Sequence, residues 1–295
     1  MTGAEAGFLL LTSPLGNPER KVLTTAQLRI LSSRVKRGEK ESVDRPLEVE
    51  DLIALGYGRE MAQHIFDLLQ QEDLLQYYCH KAAKEDCIAL TWASKGYPDR
   101  LKQCLGEETP GCIWCKGDIS LLLQPMVALV GSRELGENNR SFARLVGQQA
   151  ATQGYVLVSG NARGADQTAQ NACLRAGGKV ICIVADSLTD KPLQENVLYI
   201  SEDGFDLPFT SQRAISRNRL IHALTERTFV AQSGFQMGGT WSGTVKNLRH
   251  GWSSVYLYAD YSPAFYQLQE MGGEGITEED LFNFDTLPRQ LPGLF

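Results

Sequence analysis

The stretch 125–166, PMVALVGSRELGENNRSFARLVGQQAATQGYVLVSGNARGAD, constrains the fold more than any other part of the chain. An apolar run at 127–130 stops at Gly131-Ser132-Arg133. A second, beginning at Val156, stops at Ser159-Gly160 and is followed by Arg163-Gly164-Ala165-Asp166. Unbroken runs of β-branched residues and leucine mark parallel strands covered by helices on both faces. A helix-compatible segment centred near Ala143 separates the two runs, so the unit reads strand, helix, strand with a right-handed crossover. Open α/β sheets take their ligands at the carboxyl ends of such strands. Glycine there lets the backbone approach a ligand, and the following helix directs unpaired N–H groups at it. With Arg133 and Arg163 beside those donors, the expected ligand is an anion, and a phosphate in particular.

The same alternation continues downstream, with strands expected at 180–184, 197–200, 228–231 and 254–258, helices near Ala169 and Ala223, and a last helix opening around Thr244. The fold class is therefore α/β, a Rossmann-like, mostly parallel sheet with helices on both faces, over residues 116–260. A chain of 295 residues has room for a second domain. Residues 1–115 read as a small all-α domain plus connector, and 261–295 as a short acidic C-terminal segment. In the first part, 24–35 has helical character, 36–44 is charged and expected to be solvated loop, and apolar residues from Leu47 to Leu69 recur at helical spacing. Two helices there meet at Gly56-Tyr57-Gly58. Such a junction resembles a SAM-like or helix-hairpin-helix domain presenting backbone N–H groups to DNA; equally, it fits an ordinary corner in which Gly56 caps a helix. From Trp92 to Gly117 the chain reads as turn-rich connector.

Charge narrows the partner. A net charge of −6 and a pI near 5.4 argue against a surface that coats nucleic acid indiscriminately. They leave room for a local basic groove, and Arg133, Arg140, Arg144, Arg163, Arg213, Arg217 and Arg219 fall around the proposed strand ends, whereas Glu270, Glu274, Glu278, Glu279 and Asp280 gather elsewhere. No apolar run has the length of a bilayer span, and Gly7-Phe8-Leu9-Leu10-Leu11 lacks the basic flank of a signal peptide, so a cytoplasmic protein without a membrane partner is expected. The seven cysteines then read as reduced thiols. Cys112-x2-Cys115 has the spacing of half a zinc site, but Cys87 and Cys104 stand far from it in sequence, and neither metal nor cofactor is expected.

Four stretches can converge above the sheet: Gly131-Ser132-Arg133; Ser159-Gly160 with Arg163-Gly164; Arg217-Asn218-Arg219; and Gly238-Gly239-Thr240-Trp241-Ser242-Gly243-Thr244. Taken singly each has a bland reading, a tight turn or a solvated helix face; the specificity lies in the set. The last stretch places glycines and hydroxyls just before a helix, as an anion site requires, yet it is neither a Walker loop nor a dinucleotide fingerprint. Asp166 fits a structural role at a helix start. His64, His80, His222 and His250 are scattered, and no nucleophile elbow accompanies them, so no catalytic residue is expected. Trp241 suits either base stacking or a core anchor.

Over roughly residues 90–258 the chain resembles the DNA-processing protein A (DprA/Smf) family. The resemblance is carried by Trp92…Gly96-Tyr97-Pro98, Lys116-Gly117-Asp118, Val127 to Arg133, Ser159-Gly160-Asn161-Ala162-Arg163-Gly164-Ala165-Asp166 and Arg217-Asn218-Arg219, in that order. It implies single-stranded DNA binding in a basic pocket, a homodimer, and delivery of the strand to a RecA-type recombinase during transformation or a role in genome defence. Onto this chain it carries Gly131, Ser132, Arg133, Ser159, Gly160, Arg163, Gly164, Arg217 and Arg219. The chain departs from the family pattern at 237–244, where a Ser-Gly-Ser/Thr run is usual, and at Tyr256 to Asp260, where a Val-Pro-Gly usually follows the last core strand; no winged helix is expected after Ala259. A nucleotide-binding sensor of the same superfamily is the alternative reading. Third comes a phosphoribohydrolase, whose Gly-Gly-x-Gly-Thr-x-x-Glu loop would place its acid where this chain has Asn247.

Overall fold

The protein is described by a computed structural model covering residues 1–37 and 47–290; the loop expected at 36–44 lies, from residue 38 on, outside the described residues. Its strands are β1 (Cys87–Thr91), β2 (Cys112–Gly117), β3 (Met126–Val130), β4 (Val156–Ser159), β5 (Lys179–Ile183), β6 (Val197–Ser201), β7 (Arg227–Val230), β8 (Ser254–Tyr258) and β9 (Glu274–Ile276). They form one sheet in the order β1-β2-β6-β5-β4-β3-β7-β8-β9. From β6 to β9 every pairing is parallel, and β2 adds β1 and itself antiparallel to the β6 edge. The chain moves outward from β3 through β6 and then returns to the other side of β3 with β7. The crevice at such a reversal is where a doubly wound sheet binds ligands.

The helices are α1 (Gly3–Thr12), α2 (Thr25–Arg37), α3 (Val49–Ala54), α4 (Arg59–Leu69), α5 (Glu72–Lys84), α6 (Asp99–Leu105), α7 (Glu137–Thr152), α8 (Ala165–Arg175), α9 (Ser211–Ser216), α10 (Asn218–Leu224), α11 (Gly238–His250) and α12 (Pro263–Glu270). Side chains alternate strictly through the sheet. Val127 and Leu129 join the core under α7 and α8 with Phe142, Val146 and Ala169, while Ala128 and Val130 join the opposite core with Leu101, Leu220 and Phe265. Such strands, buried on both sides, gain from apolar burial twice over. Helices α7 and α8 pack unusually close because position 147 is glycine: a Cβ there would lie 2.1 Å from the Ala169 carbonyl oxygen.

The region read as connector is part of the sheet. Strands β1 and β2 pair residue for residue from Cys87↔Lys116 to Thr91↔Cys112, and the division expected after residue 115 runs through β2. Cys112 faces one core and Cys115 the other, so the two thiols cannot share a metal ion. The helical segment is likewise continuous with the sheet, since Leu9, Leu10, Leu75, Tyr78 and Ala82 of α1 and α5 pack on Trp114 and Phe205, while α2, α3 and α4 close a small core of their own. At the α3–α4 corner Gly56, at φ +88°, ends a helix whose last carbonyls accept from Gly56 N–H (2.8 Å) and Tyr57 N–H (3.2 Å). Those donors are used internally, as in a Schellman cap.

Beyond residue 260 the chain is more than an acidic tail. It supplies α12 and the edge strand β9, then buries Leu281, Phe284 and Leu287 against the α7 side of the core. Gln153 fixes this return, donating to the Leu281 carbonyl (2.8 Å) and accepting from Phe284 N–H (2.8 Å). Among the described residues no helix is long and apolar enough to cross a membrane.

Candidate nucleic-acid interface

At the carboxyl ends of β3 and β4 two loops press together. Gly131 and Gly164 make this possible: a Cβ on Gly131 would lie 2.4 Å from Ala165 Cβ, and one on Gly164, whose φ is +88°, 2.4 Å from the Arg133 carbonyl oxygen. The Ala165 N–H donates to the Ser132 carbonyl (3.1 Å), and Ser132 N–H donates to Gln232 (3.0 Å), tying the loops after β3, β4 and β7 into one rim. Asp166 braces the β4–α8 loop from beneath, accepting from Gly160 N–H (3.0 Å) and Ala162 N–H (3.1 Å). Burial pushes its carboxyl above the usual carboxylate range, against the opposing pull of Arg217 and those two donors.

The rim encloses a cavity of about 400 Å³ at the reversal point between β3 and β7. Of the residues singled out in the sequence, Gly131, Ser132, Arg133, Asp166, Arg217, Asn218, Gly238, Gly239 and Thr240 line it together. Arg217, between α9 and α10, is 9% exposed. Its guanidinium rests over Gly160, and among the described residues its buried Nε has no hydrogen-bond partner. Among the described residues no carboxylate lies within ion-pairing distance of it; Asp166 supports its charge from farther away, while burial works against that charge. Asn218 donates to the Gly239 carbonyl (3.1 Å), holding the first turn of α11 at the cavity edge. That helix has no side-chain cap, so its first N–H groups are open to a ligand.

Other expected residues lie elsewhere. Ser159 is fully buried and accepts from Gln170 (2.5 Å). Gly160 and Gly164 shape the site without lining it, and Arg163 is exposed at the start of α8 outside the cavity. Arg219 turns away to a largely buried ion pair with Glu202, with Nη1 also donating to the Ser216 carbonyl (2.7 Å) and Nε to the Glu108 carbonyl (3.1 Å). Arg213 is similarly occupied, bonding Ala185, Leu207 and Pro208 carbonyls and Asp203. Helix α11 opens at Gly238, one and a half turns before the expected start, so Ser242 and Thr244 sit on helical faces rather than in a loop. Ser242 bonds back to the Gly238 carbonyl (3.2 Å), and Thr244 is fully buried. Trp241 packs against the core and lies 6.0 Å from Phe235, outside the cavity lining.

Three apolar side chains not foreseen complete the wall: Phe209, Ile215 and Met237, exposed at 53%, 60% and 70%. A phenylalanine standing between Pro208 and the helix-capping Thr210, at a helix start, was the available signal for the first. His222 forms part of the floor. It is buried with Thr228, Asn247 and Ser253 in a polar cluster, and burial pushes its imidazole down to about 3, keeping it neutral. Asn247 is fully buried, accepting from Ser253 N–H (2.9 Å), so the position of a phosphoribohydrolase acid holds a core amide.

Fold and site together define a doubly wound, Rossmann-like protein with an arginine-lined crevice at its strand-order reversal. The chain belongs to the DNA recombination-mediator protein A family, which it matches over residues 88–251. It is 28% identical to the DNA processing protein DprA of Streptococcus pneumoniae over 213 residues, 67% of this chain and 71% of that one. To protein Smf of Escherichia coli it is 28% identical over 156 residues, which is 49% of this chain and 41% of the relative's length. The solved structure of the Streptococcus pneumoniae protein superposes with a TM-score of 0.64 at 22% identity, covering 88% of this chain and 97% of that one. That of DNA processing protein A from Helicobacter pylori, described for its single-stranded DNA binding mode, gives 0.56 at 24% identity over 67% of this chain and 94% of that one. At these identities the two structures share the fold.

Proposed function

We propose that the crevice binds single-stranded DNA, one phosphate meeting Arg217, Arg133 and the first N–H groups of α11, and the adjoining base resting on Phe209, Ile215 and Met237. The observation that carries this reading is Arg217. A buried guanidinium with an unfilled Nε and no carboxylate in contact is costly unless an anion completes it. The apolar rim favours a strand whose bases are unstacked, because a duplex hides the faces of its bases. A net charge of −6 also disfavours indiscriminate duplex coating. Family membership and the Helicobacter pylori relative support the polymer over a small ligand.

On this reading the protein works in the cytoplasm, as a homodimer, handing the strand to a RecA-type recombinase in DNA uptake or genome defence; family membership is what supports these finer assignments. The test is anisotropy of labelled oligo(dT), a duplex and mononucleotides at two salt concentrations. Affinity should rise with oligonucleotide length and fall with salt over several phosphates, with the duplex weaker. Saturation by a mononucleotide with no gain on lengthening it would instead make the crevice a nucleotide sensor.

A further inference from the structure

On the opposite side of the rim, between the outward faces of α7 and α8, lies a second cavity of about 400 Å³. Its lining includes Arg140 and Arg144, one helical turn apart on α7, and Arg175 at the end of α8, with Gln148, Thr168 and Asn171 among them. No acidic side chain among the described residues lines it. Among the described residues none of the three arginines has an ion pair, and the single hydrogen bond is a long one from Arg140 to the Leu135 carbonyl (3.5 Å). In a chain of net charge −6, where Arg213, Arg219 and Arg227 are all matched to carboxylates, three unmatched arginines around one groove are a concentration of uncompensated positive charge.

The groove has a direction. Helical side chains lean toward the N-terminus, here toward the strand ends, and both helices begin at the two touching loops that carry exposed Arg133 and Arg163. Arg133 belongs to the crevice; Arg163 stands at the start of α8; Arg140, Arg144 and Arg175 follow down the helices. From Arg140 to Gln148 the track runs about 12 Å at the helical rise, enough for more than one phosphate of an extended strand. Gly147 keeps α7 and α8 close, so the arginines flank an open groove along the two helices that suits a phosphodiester backbone.

We propose that this α7–α8 trough is a second phosphodiester-binding site, onto which a single strand continues from the crevice over the rim of Arg133 and Arg163. The proposal rests on the single-strand reading of the crevice, and its test separates the two. Oligo(dT) of about six and about twenty nucleotides is titrated against the wild type, Arg217→Ala and the double variant Arg144→Ala/Arg175→Ala at several salt concentrations. Arg144 and Arg175 are both exposed, so the double variant keeps the wild-type Tm. It should bind the short strand like wild type, lose about tenfold affinity for the long one, and show a salt slope lower by about 0.7 for each phosphate released. Arg144→Lys/Arg175→Lys should restore the slope. Loss of both strands by Arg217→Ala completes the expected pattern. If Arg217→Ala changes neither while the double variant still weakens the long strand, the crevice reading fails and the trough stands as a site. Wild-type long-strand affinity and slope in the double variant overturn the trough proposal, and capture of a poly-glutamate peptide in that case would assign the arginines to an acidic protein partner.

Discussion

The guanidinium of Arg217 lies over Gly160 so closely that a Cβ on that glycine would fall 1.6 Å from Nη1. The glycine after β4 therefore serves the arginine rather than the ligand: it leaves the space through which a side chain from the α9–α10 junction reaches the crevice. The obstruction an added methyl would meet is the end of a flexible side chain, which can swing aside without unfolding the protein.

Gly160→Ala should thus act as an indirect removal of Arg217. Oligo(dT) affinity should fall about ten- to a hundredfold, the worth of a charge-assisted hydrogen bond of about 1.5–3 kcal/mol, with little change in Tm. In a double-mutant cycle Gly160→Ala should add nothing to Arg217→Ala, because both remove one interaction. Independent, additive losses would mean the glycine contacts the strand itself.

The two arginines of Arg217-Asn218-Arg219, equal in the sequence, should part in experiment. Arg219 and Glu202 form a pair with side chains 13% and 12% exposed, and removing one partner strands the other, at a cost of roughly 3–5 kcal/mol. Arg219→Ala should therefore lower Tm, whereas Arg217→Ala should leave Tm unchanged and weaken binding. Burial already raises the Glu202 carboxyl above its usual range. Losing Arg219 raises it further, so the folded state holds a proton that the unfolded carboxyl releases, and the variant's stability deficit should grow as pH rises from the carboxylate range toward neutrality. A Tm deficit independent of pH would disconnect Glu202 from the effect.

A pH dependence of binding should come from Asp166. Burial raises its pKa, and its negative charge lies beneath the anion site. Protonation as pH falls removes that repulsion, so oligo(dT), whose diesters do not titrate there, should bind more tightly as pH is lowered. Asp166→Asn should flatten the profile at the tighter limit. His222 should contribute nothing near its ordinary value, being pushed down to about 3. A step that survives in Asp166→Asn would assign the titration to another group.

What the sequence made legible follows from how each signal arises. Strands β3, β4, β5 and β8 are buried on both faces and announce themselves as unbroken apolar runs. Strand β2 hides, because Cys112-Ile113-Trp114-Cys115-Lys116-Gly117 has neither β-branched enrichment nor alternation; pairing to β1 and β6 makes it a strand. Arg133 and Arg217 stand out as arginines after strand-end glycine or amid other arginines, yet which arginine is free depends on Glu202, Asp203 and Glu108, whose positions are set by tertiary contacts. In Gly238-Gly239-Thr240-Trp241-Ser242-Gly243-Thr244 the glycines suggest a loop by propensity, and the stacking of α11 on β8 overrides it. The positive φ accordingly sits at Gly238, at +85°, while Gly239 is helical and merely close to Asn218 Nδ2.

The same displacement moves the proposed stacking residue from Trp241 to Phe209. Trp241 was the aromatic nearest the glycines in sequence, but its ring is half-buried against the core and Phe235, so Trp241→Ala should lower Tm through lost packing and leave short oligo(dT) affinity close to wild type. Phe209 lines the crevice with 53% of its surface free. Its truncation removes little packing, and Phe209→Ala should keep the wild-type Tm while costing about 1–3 kcal/mol in oligonucleotide affinity, the typical worth of one stacked base. Phe209→Tyr, which keeps the ring face, should restore binding, and inorganic phosphate should bind all three variants alike, since the proposed phosphate contacts are Arg217 and α11. An oligonucleotide affinity that tracks Trp241 and ignores Phe209 would place the base on the far side of α11 and reverse this assignment.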